Sequence, residues 1–362
     1  MSERLRVAFL NSWFEETARG SGTAAGIAGL AQGIGALGHE VVWVRPRWPV
    51  PGHTLRRLLY NLELPFRLDR RSFDLVVGFD IDGFLLPRAS GRGHVVCHKG
   101  VAAEERAFEA GWPRFQLGML AWMEGRNARR ARRVFVTSGH SHRAARAAYG
   151  LDPARLAIVP EGIDLAPWDA LHAGPRPGRR GGPPVILSVA RQYLRKNTHS
   201  LLEAMPAVRA GAPGVGLRVV GGGPMLPALE RRAAALGLGE AVTFLGEVPR
   251  AEDVRREYLA ADVFCLPSLQ EGFGIVFLEA MAAGLPIVAV RAGAAPEVVP
   301  EGEVGLLAPP GDVPALAAAL VRLLRDGPLR GRFGAEGRRR ARGYAWEEVA
   351  RRFLEAAGER CG

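Results

Sequence analysis

The stretch DVFCLPSLQEGFGIVFLEAMAAGLPIVAV occupies residues 262–290 and decides the fold. Short apolar runs bounded by turn residues lie at both ends and predict strands, the first over Val263 to Leu266. Between the strands, a glycine-rich loop leads into helix formers from about Gly274 to Ala283, and Gly284-Leu285-Pro286 predicts the end of that helix. The order strand, loop, helix, strand predicts an α/β architecture.

The loop and helix also carry candidate ligand groups. A helix N-terminus has unpaired N–H groups and roughly half a positive charge, which attracts phosphate. Gly272 and Gly274 let a ligand approach the backbone closely, because no Cβ stands in the way. Glu271 in the loop and Glu279 two turns later can accept hydrogen bonds from sugar hydroxyls. The pattern therefore predicts a site for an anion with a polyol attached.

The same stretch resembles the retaining glycosyltransferases of family GT4, which have the GT-B fold. Two glutamates with seven residues between them carry no information alone. Here they are accompanied by Leu266-Pro267-Ser268, Glu271-Gly272-Phe273-Gly274 and Glu279-Ala280-Met281-Ala282. The resemblance implies an α/β protein with two Rossmann-like, doubly wound domains that face each other across a cleft. It also implies a nucleotide-sugar donor held mostly by the C-terminal domain.

The length of 362 residues suits two domains of ordinary size. We predict an N-terminal, acceptor-side domain over 1–171 and a linker rich in Pro, Gly and Arg over 172–184. The donor-side domain is predicted over 185–343, and a C-terminal helix at about 344–362 is expected to return to the first domain. Apolar residues make up 48% of the chain and charged residues 23%, which is a globular balance.

A glycine loop near the N-terminus admits two interpretations. Gly20, Gly22 and Gly26 form G-x-G-x-x-x-G, whereas the dinucleotide-binding pattern is G-x-G-x-x-G. The resemblance implies instead a loop that faces the donor phosphates, with Gly22 the better candidate and Gly20 the second. We therefore expect no cofactor. The nucleotide would be part of the substrate, a UDP-, GDP- or ADP-sugar.

The resemblance assigns two cations and one main-chain segment to the donor. Arg191 and Lys196 match an arginine and a lysine of the family, which would stabilise the charge that grows on the departing diphosphate. Asn197 replaces the family's frequent glycine. Val248 lies in the segment that would receive the nucleotide base through main-chain groups.

The remaining donor contacts that the resemblance implies lie within residues 262–290. Glu271 would orient the sugar through its hydroxyls, and Glu279 would bind the ribose. The phosphates would lie against the backbone of Phe273, Gly274, Ile275 and Val276.

The segment from His94 to Gly100 predicts a strand that ends at the site. In the family a histidine at this place often lies beside the reacting sugar, and His98 matches it, but counting back from Gly100 selects Lys99 instead. Neighbours on a strand point to opposite faces, so only one of them is expected to face substrate.

Glu161 stands where the family usually has asparagine, which leaves acceptor specificity open. The candidate catalytic residues are thus His98, Arg191, Lys196 and Glu271; Lys99 and Glu161 are candidates on the acceptor side.

Asp80-Ile81-Asp82-Gly83 follows an apolar run. Such an Asp-x-Asp binds Mn²⁺ in GT-A glycosyltransferases, but two aspartates beside a glycine are also ordinary turn residues. The GT-B resemblance favours the turn. We expect no metal site, and Asp82 is a further candidate on the acceptor side.

The net charge of +11 suggests either anionic partners or simply a solvated, arginine-rich surface. Within 45–71, Leu55, Leu58, Leu59 and Leu62 fall on one helical face beside arginines. Such a helix can lie on a membrane surface or cover a sheet, and we favour the second interpretation.

No nucleic-acid-binding motif is found, so no nucleic-acid partner is expected. Three scattered cysteines and a first strand in place of a signal peptide predict a cytoplasmic protein, with peripheral membrane contact as the alternative.

The resemblance to family GT4 implies a retaining glycosyltransferase without a covalent protein nucleophile, and we expect it to be metal-independent. The acceptor would be a small molecule, a glycan or a lipid-linked sugar, and no motif indicates the oligomeric state. Two alternatives remain open at this point: a GT-B phosphorylase, or a non-catalytic protein that binds nucleotide sugars or nucleic acid.

Overall fold

A computed structural model describes residues 4–13, 22–47, 53–87, 94–174 and 182–358. The chain divides into two compact domains, Met1–Gly162 with Trp346–Gly362, and Ile163–Ala345. Within the described residues, each domain contains one six-stranded sheet, and every strand pair in both sheets is parallel. The expectation of two Rossmann-like α/β domains is confirmed.

Strands and helices largely alternate along the first domain. They are β1 Arg6–Leu10, α1 Gly22–Ala36, β2 Glu40–Val44, α2 His53–Arg67, β3 Leu75–Phe79, β4 His94–His98, α3 Ala102–Glu105, α4 Gly111–Arg130, β5 Val134–Val136, α5 Gly139–Tyr149 and β6 Leu156–Ile158. The strand order is β2-β1-β3-β4-β5-β6. Strands β3 and β4 are buried along their whole length, as strands of a covered parallel sheet are.

The second domain repeats this alternation. Its elements are α6 Ala166–Ala173, β7 Val185–Val189, α7 Thr198–Gly211, β8 Gly216–Val220, α8 Leu226–Ala235, β9 Val242–Gly246, α9 Ala251–Ala260, β10 Val263–Leu266, α10 Ile275–Ala283, β11 Ile287–Val290, α11 Ala295–Val298, β12 Gly305–Ala308, α12 Val313–Arg325 and α13 Gly327–Ala341. The strand order is β12-β11-β10-β7-β8-β9. Short 3₁₀ helices lie at Arg70–Ser72, Arg106–Phe108, Pro153–Arg155, Leu194–Lys196 and Arg342–Tyr344.

The opening stretch folds as its sequence predicts. The first strand is β10, over Val263–Leu266, and the helix is α10, over Ile275–Ala283. Gly274 and Gly284 cap the two ends of the helix with φ of +90° and +76°, a conformation that favours glycine.

The last helix, α14 over Trp346–Ala357, belongs to the first domain. Its buried residues recur at helical spacing, which gives it one apolar face. That face lies on α1: a Cβ at Gly29 would meet the Trp346 ring at 1.9 Å, and one at Gly33 would meet the Trp346 carbonyl oxygen at 2.3 Å. The glycines of α1 therefore allow two helices to pack at close range.

The division between domains falls at Gly162, earlier than the predicted boundary at 171. Ile163 donates its N–H to the Tyr344 carbonyl at 2.8 Å, and Trp168 packs edge-on against Tyr258 in the core of the second domain. Helix α6 is therefore part of the second domain. Of the predicted linker, residues 175–181 lie outside the described part of the chain, as does Gly20.

Helix α2 covers the sheet, as the favoured interpretation predicts, because Tyr60 and Leu64 pack against residues of β1, β2 and β3. The face that covers it is not the leucine face, since Leu55, Leu59 and Leu62 are exposed. The buried side instead presents Tyr60 and Leu64 to the core, with the polar residues Arg57 and Asn61 beside them.

No helix among the described residues is long and apolar enough to cross a bilayer.

Candidate functional site

Lys196 and Glu271 form a close ion pair in the second domain. Lys196 Nζ lies 2.5 Å from Glu271 Oε1, and only 7% of Glu271 is exposed. Lys196 ends the 3₁₀ helix after β7, and Glu271 stands in the loop between β10 and α10. Two predicted donor residues from separate segments are thus brought together. Their pairing could not be read from the motifs.

Asn197 helps to hold this pair. It has a φ of +54°, a left-handed conformation that asparagine tolerates better than most residues. Its side-chain amide donates to the Pro267 carbonyl at 3.2 Å, and the N–H of Leu269 donates to the Arg195 carbonyl at 2.8 Å. The asparagine that departs from the family's glycine therefore ties the Lys196 segment to the Glu271 loop.

The loop that carries Glu271 is also fixed by backbone packing. Gly293, at φ +58°, leaves room that a Cβ would fill, since it would lie 2.6 Å from the Glu271 nitrogen. Ala294 donates its N–H to the Glu271 carbonyl at 3.0 Å. The Phe273 side chain is buried and packs against Tyr344. The Phe273 side chain is therefore part of the core, and the donor role of its backbone stays a prediction; Ile275 and Val276 are half-buried.

Glu279 lies in the second turn of α10 and is half-buried. The Tyr258 hydroxyl donates a hydrogen bond to Glu279 Oε2 at 2.8 Å. Burial raises the pKa of the Glu279 carboxyl, and the Tyr258 hydrogen bond opposes that rise. Burial also raises the pKa of the Tyr258 hydroxyl, as does the neighbouring Glu279. Tyr258 is therefore the donor and the glutamate the acceptor.

Arg191 is much more open than Lys196. Its side chain is 43% exposed and lies 3.7 Å from Glu247 Oε1, which is itself exposed. The turn beneath it is tight, because a Cβ at Gly221 would lie 2.0 Å from the Ala190 carbonyl oxygen. Arg191 is thus an accessible cation on a firmly packed segment. Val248 is half-buried and packs against the core of the same domain.

In the first domain, Lys99 and His98 point to opposite faces of the sheet, as neighbours on a strand do. Lys99 Nζ lies 2.9 Å and 3.0 Å from the two oxygens of Glu161. This pair lies against α1, where a Cβ at Gly26 would come within 2.3 Å of Glu161 Oε2. Gly22 is the exposed first residue of the same helix.

His98 is enclosed on the side of α4 and α5. Its Nδ1 lies 3.3 Å from Glu124 Oε1, although no described residue makes an aligned hydrogen bond to either ring nitrogen. Tyr149 packs edge-on against the ring and donates to Glu124 Oε2 at 3.0 Å. Burial lowers the pKa of His98 to about 3 and raises that of Glu124 well above its usual value. No sequence motif pointed to Glu124 or Tyr149. The substrate roles of His98, Lys99 and Glu161 stay predictions.

Asp82 is buried in a polar network. It accepts hydrogen bonds from the N–H and hydroxyl of Ser12, at 2.8 and 2.6 Å, and Arg57 Nη2 lies 3.8 Å away. Asp80, at φ +54°, accepts the N–H of Lys99 at 2.9 Å. The Asp-x-Asp segment thus forms the turn that we favoured, and both carboxylates are engaged within the domain. In the described part of the chain, no group of three or more His, Cys, Asp or Glu side chains could hold a metal ion.

Comparison with known proteins agrees with these features. A family model described as "Glycosyl transferases group 1" matches residues 175–340, and one described as "Glycosyltransferase Family 4" matches residues 20–167. Over 97% of the chain, the fold is similar to a sucrose-phosphate synthase from Thermosynechococcus elongatus, with a TM-score of 0.79 at 22% identity and 98% coverage of that chain. Fold and matching families define a glycosyltransferase of the GT-B class.

The sequence relatives narrow the class. The chain is 33% identical to a GDP-mannose-dependent alpha-(1-6)-phosphatidylinositol monomannoside mannosyltransferase of Mycolicibacterium smegmatis, over 70% of this chain and 69% of that protein. It is 39% identical to a phosphatidyl-myo-inositol mannosyltransferase of Mycobacterium leprae, over 54% of this chain and 51% of that protein. The chain belongs to glycosyltransferase family 4.

Proposed function

We propose that this chain transfers a hexose from a nucleoside-diphosphate sugar to a hydroxyl acceptor, with retention of configuration and without a metal ion or other cofactor. One observation carries the proposal: the Lys196–Glu271 pair lies beside the N-terminus of α10, and Glu279 follows in the second turn of that helix. A cation, a helix N-terminus and two carboxylates suit a diphosphate with a sugar on each side.

In this mechanism the protein supplies position and charge. Lys196, Arg191 and the N–H groups at the start of α10 stabilise the diphosphate as its bond to the sugar breaks. Glu271 orients the transferred sugar through its hydroxyls, and Glu279 accepts hydrogen bonds from the ribose. The acceptor oxygen attacks from the face on which the diphosphate leaves, so the chemistry needs alignment and no covalent protein intermediate. The acceptor proton passes to the departing phosphate oxygen.

The contacts of the Asp-x-Asp segment support a metal-independent reaction. Hard cations require several oxygen ligands, whereas Asp82 already accepts two hydrogen bonds from Ser12 and faces Arg57. Lys196 and Arg191 provide the positive charge that a metal would otherwise supply.

The relatives suggest which substrates to test first. One is named as GDP-mannose-dependent, and both are named for phosphatidylinositol acceptors. We therefore propose GDP-mannose as the donor and an inositol-containing lipid as the acceptor. UDP- and ADP-sugars and soluble polyol acceptors are the alternatives within the same reaction.

A lipid acceptor agrees with the surface of the first domain, for which we propose peripheral contact with an anionic membrane on the cytoplasmic side. Helix α2 exposes three leucines and Phe66, which is 93% exposed. Helix α4 exposes Trp112, Phe115 and Trp122, and the Arg126 guanidinium lies 6.0 Å from the Trp122 ring. Both helices pack on the same apolar cluster around Phe84. Exposed aromatic and apolar residues beside arginines suit an anionic lipid surface.

Vesicle sedimentation tests this contact. Phe66→Ser/Trp112→Ser should lose binding to vesicles of phosphatidylcholine with phosphatidylinositol. Ile158→Ser removes an exposed apolar residue elsewhere in the first domain and should bind as the unaltered protein does. Equal binding by both variants would contradict the contact.

The reaction is tested by incubating the protein with GDP-mannose and phosphatidylinositol vesicles in the presence of EDTA. We expect a mannosylated lipid by mass spectrometry, an α-linkage by NMR and release of GDP. Glu271→Gln should remove the product, and Arg250→Gln, which alters an exposed ion pair with Asp253, should not. Formation of a sugar phosphate from inorganic phosphate, with no transfer from any nucleotide sugar, would favour a phosphorylase instead.

A further inference from the structure

We propose that Tyr258 is a positioning residue for the donor: its hydroxyl holds one oxygen of Glu279 so that the other is presented to the ribose. This inference rests on the ribose contact assigned to Glu279 above. Tyr258 lies outside the glutamate motif and comes from a different helix, α9.

The contact is well defined. Tyr258 donates to Glu279 Oε2 at 2.8 Å, and the same hydroxyl lies 3.4 Å from the Val276 carbonyl oxygen. A carboxylate only accepts hydrogen bonds, so the phenol O–H must be the donor. An ionised acceptor makes this a charge-assisted bond, which is roughly twice as strong as a neutral one. The bond fixes the carboxylate torsion and leaves Oε1 for a ligand.

The tyrosine ring is itself rigid, which is what a positioning residue requires. Tyr258 is fully buried. Trp168 meets it edge-on at 5.6 Å, and Phe264 stacks on it at 5.5 Å. Because a held carboxylate has already lost its rotamer freedom, ribose binding pays less conformational entropy.

Packing and hydrogen bonding can be separated at this residue. Phenylalanine would keep the ring contacts with Trp168 and Phe264 and would remove only the hydroxyl. Tyr60 offers a matched control in the first domain: it is also fully buried, and its hydroxyl donates to the Val44 carbonyl at 2.6 Å. Tyr258→Phe and Tyr60→Phe therefore remove the same group from comparable surroundings, and only one of them acts through Glu279.

The test compares binding of GDP with that of 2′,3′-dideoxy-GDP by calorimetry. The unaltered protein should prefer GDP by about 10-fold or more, because hydrogen bonds to charged groups are worth about 1.5–3 kcal/mol. Tyr258→Phe should reduce this preference several-fold and raise KM for the donor more than it lowers kcat. Tyr60→Phe should keep the full preference. In a Glu279→Ala background, Tyr258→Phe should change the preference no further.

The outcomes distinguish the positioning role of Tyr258 from the ribose contact of Glu279. If the unaltered protein prefers GDP and Tyr258→Phe keeps that preference in full, the positioning role is overturned while the ribose contact stands. If the unaltered protein binds both nucleotides equally, the ribose contact of Glu279 fails, and the role of Tyr258 fails with it. Transfer activity measured in parallel shows whether the enzyme itself remains intact.

Discussion

Lys196 Nζ lies 2.5 Å from Glu271 Oε1, although 75 positions separate the two residues in the chain. Each comes from a loop at the carboxyl end of a strand, β7 for the lysine and β10 for the glutamate, and these strands are neighbours in the sheet. In a parallel sheet such ends lie at one edge, where ligands bind. The same pair therefore serves both the packing of this edge and the charge of the proposed site.

This geometry distinguishes Lys196 from Arg191. Lys196→Ala would leave the nearly buried Glu271 without its counter-charge, so we expect a loss of about 1–3 kcal/mol in unfolding free energy. Turnover should fall about 10²–10³-fold. Arg191→Ala should lower turnover with unfolding free energy changed by less than about 0.5 kcal/mol, because its pairing with Glu247 is exposed. Urea denaturation and steady-state kinetics measure both quantities, and equal destabilisation by the two variants would contradict the distinction.

Asp82 provides a test of the metal-independent mechanism. Asp82→Asn replaces an acceptor oxygen with an amide NH2 group, which only donates hydrogen bonds, beside Ser12 and Arg57, so we expect a loss of about 2–4 kcal/mol in unfolding free energy. The dissociation constant for GDP should be unchanged in the folded fraction, and transfer should survive EDTA. The result that sinks this mechanism is activity lost in EDTA and restored by Mn²⁺.

Local sequence signals explain why the strand and helix within residues 262–290 could be predicted. The strand and helix from Val263 to Ala283 follow from apolar runs, Gly274 and Gly284, all of which act over a few residues. The partners Tyr258 and Glu279 lie on different helices, as do Glu124 and Tyr149. Which side chains meet there depends on how the helices pack, and no motif records that.

The orientation of helix α2 on the sheet could not be predicted for a related reason. Its periodicity allows two faces, and the leucine face is the more apolar one. The buried face instead contains Arg57 and Asn61, because Asp82 and Ser12 supply polar partners inside the domain. A buried anion contributed by a distant turn thus reversed a choice that hydrophobicity alone would make.

Two glycines of α1 give a matched pair of variants. A Cβ at Gly26 would lie 2.3 Å from Glu161 Oε2, whereas a Cβ at Gly35 would meet nothing within 4 Å. Gly35→Ala should stabilise the protein by about 0.5–1 kcal/mol, since alanine is the better helix former. Gly26→Ala should destabilise it by about 1–3 kcal/mol, because Glu161 must move away from Lys99. Thermal unfolding of both variants measures the difference, and stabilisation by both would show that the Lys99–Glu161 pair adapts freely.

The pH dependence of stability should reveal Asp80. Burial raises the pKa of its carboxyl to about 6, against about 3.9 in an unfolded chain. Between these values the folded state holds a proton that the unfolded state has lost, so this carboxyl destabilises the fold progressively as pH rises from about 4 to 6. Asp80→Asn cannot ionise, and asparagine tolerates the left-handed backbone there. Its unfolding free energy relative to the unaltered protein should therefore rise over this range, by up to about 3 kcal/mol at 1.36 kcal/mol per pKa unit.

Glu240→Gln, a carboxyl-to-amide change at an exposed position, is the control. Urea denaturation at pH 4, 5, 6 and 7 measures both variants, and a constant difference for Asp80→Asn would show that this carboxyl ionises equally in the folded and unfolded states.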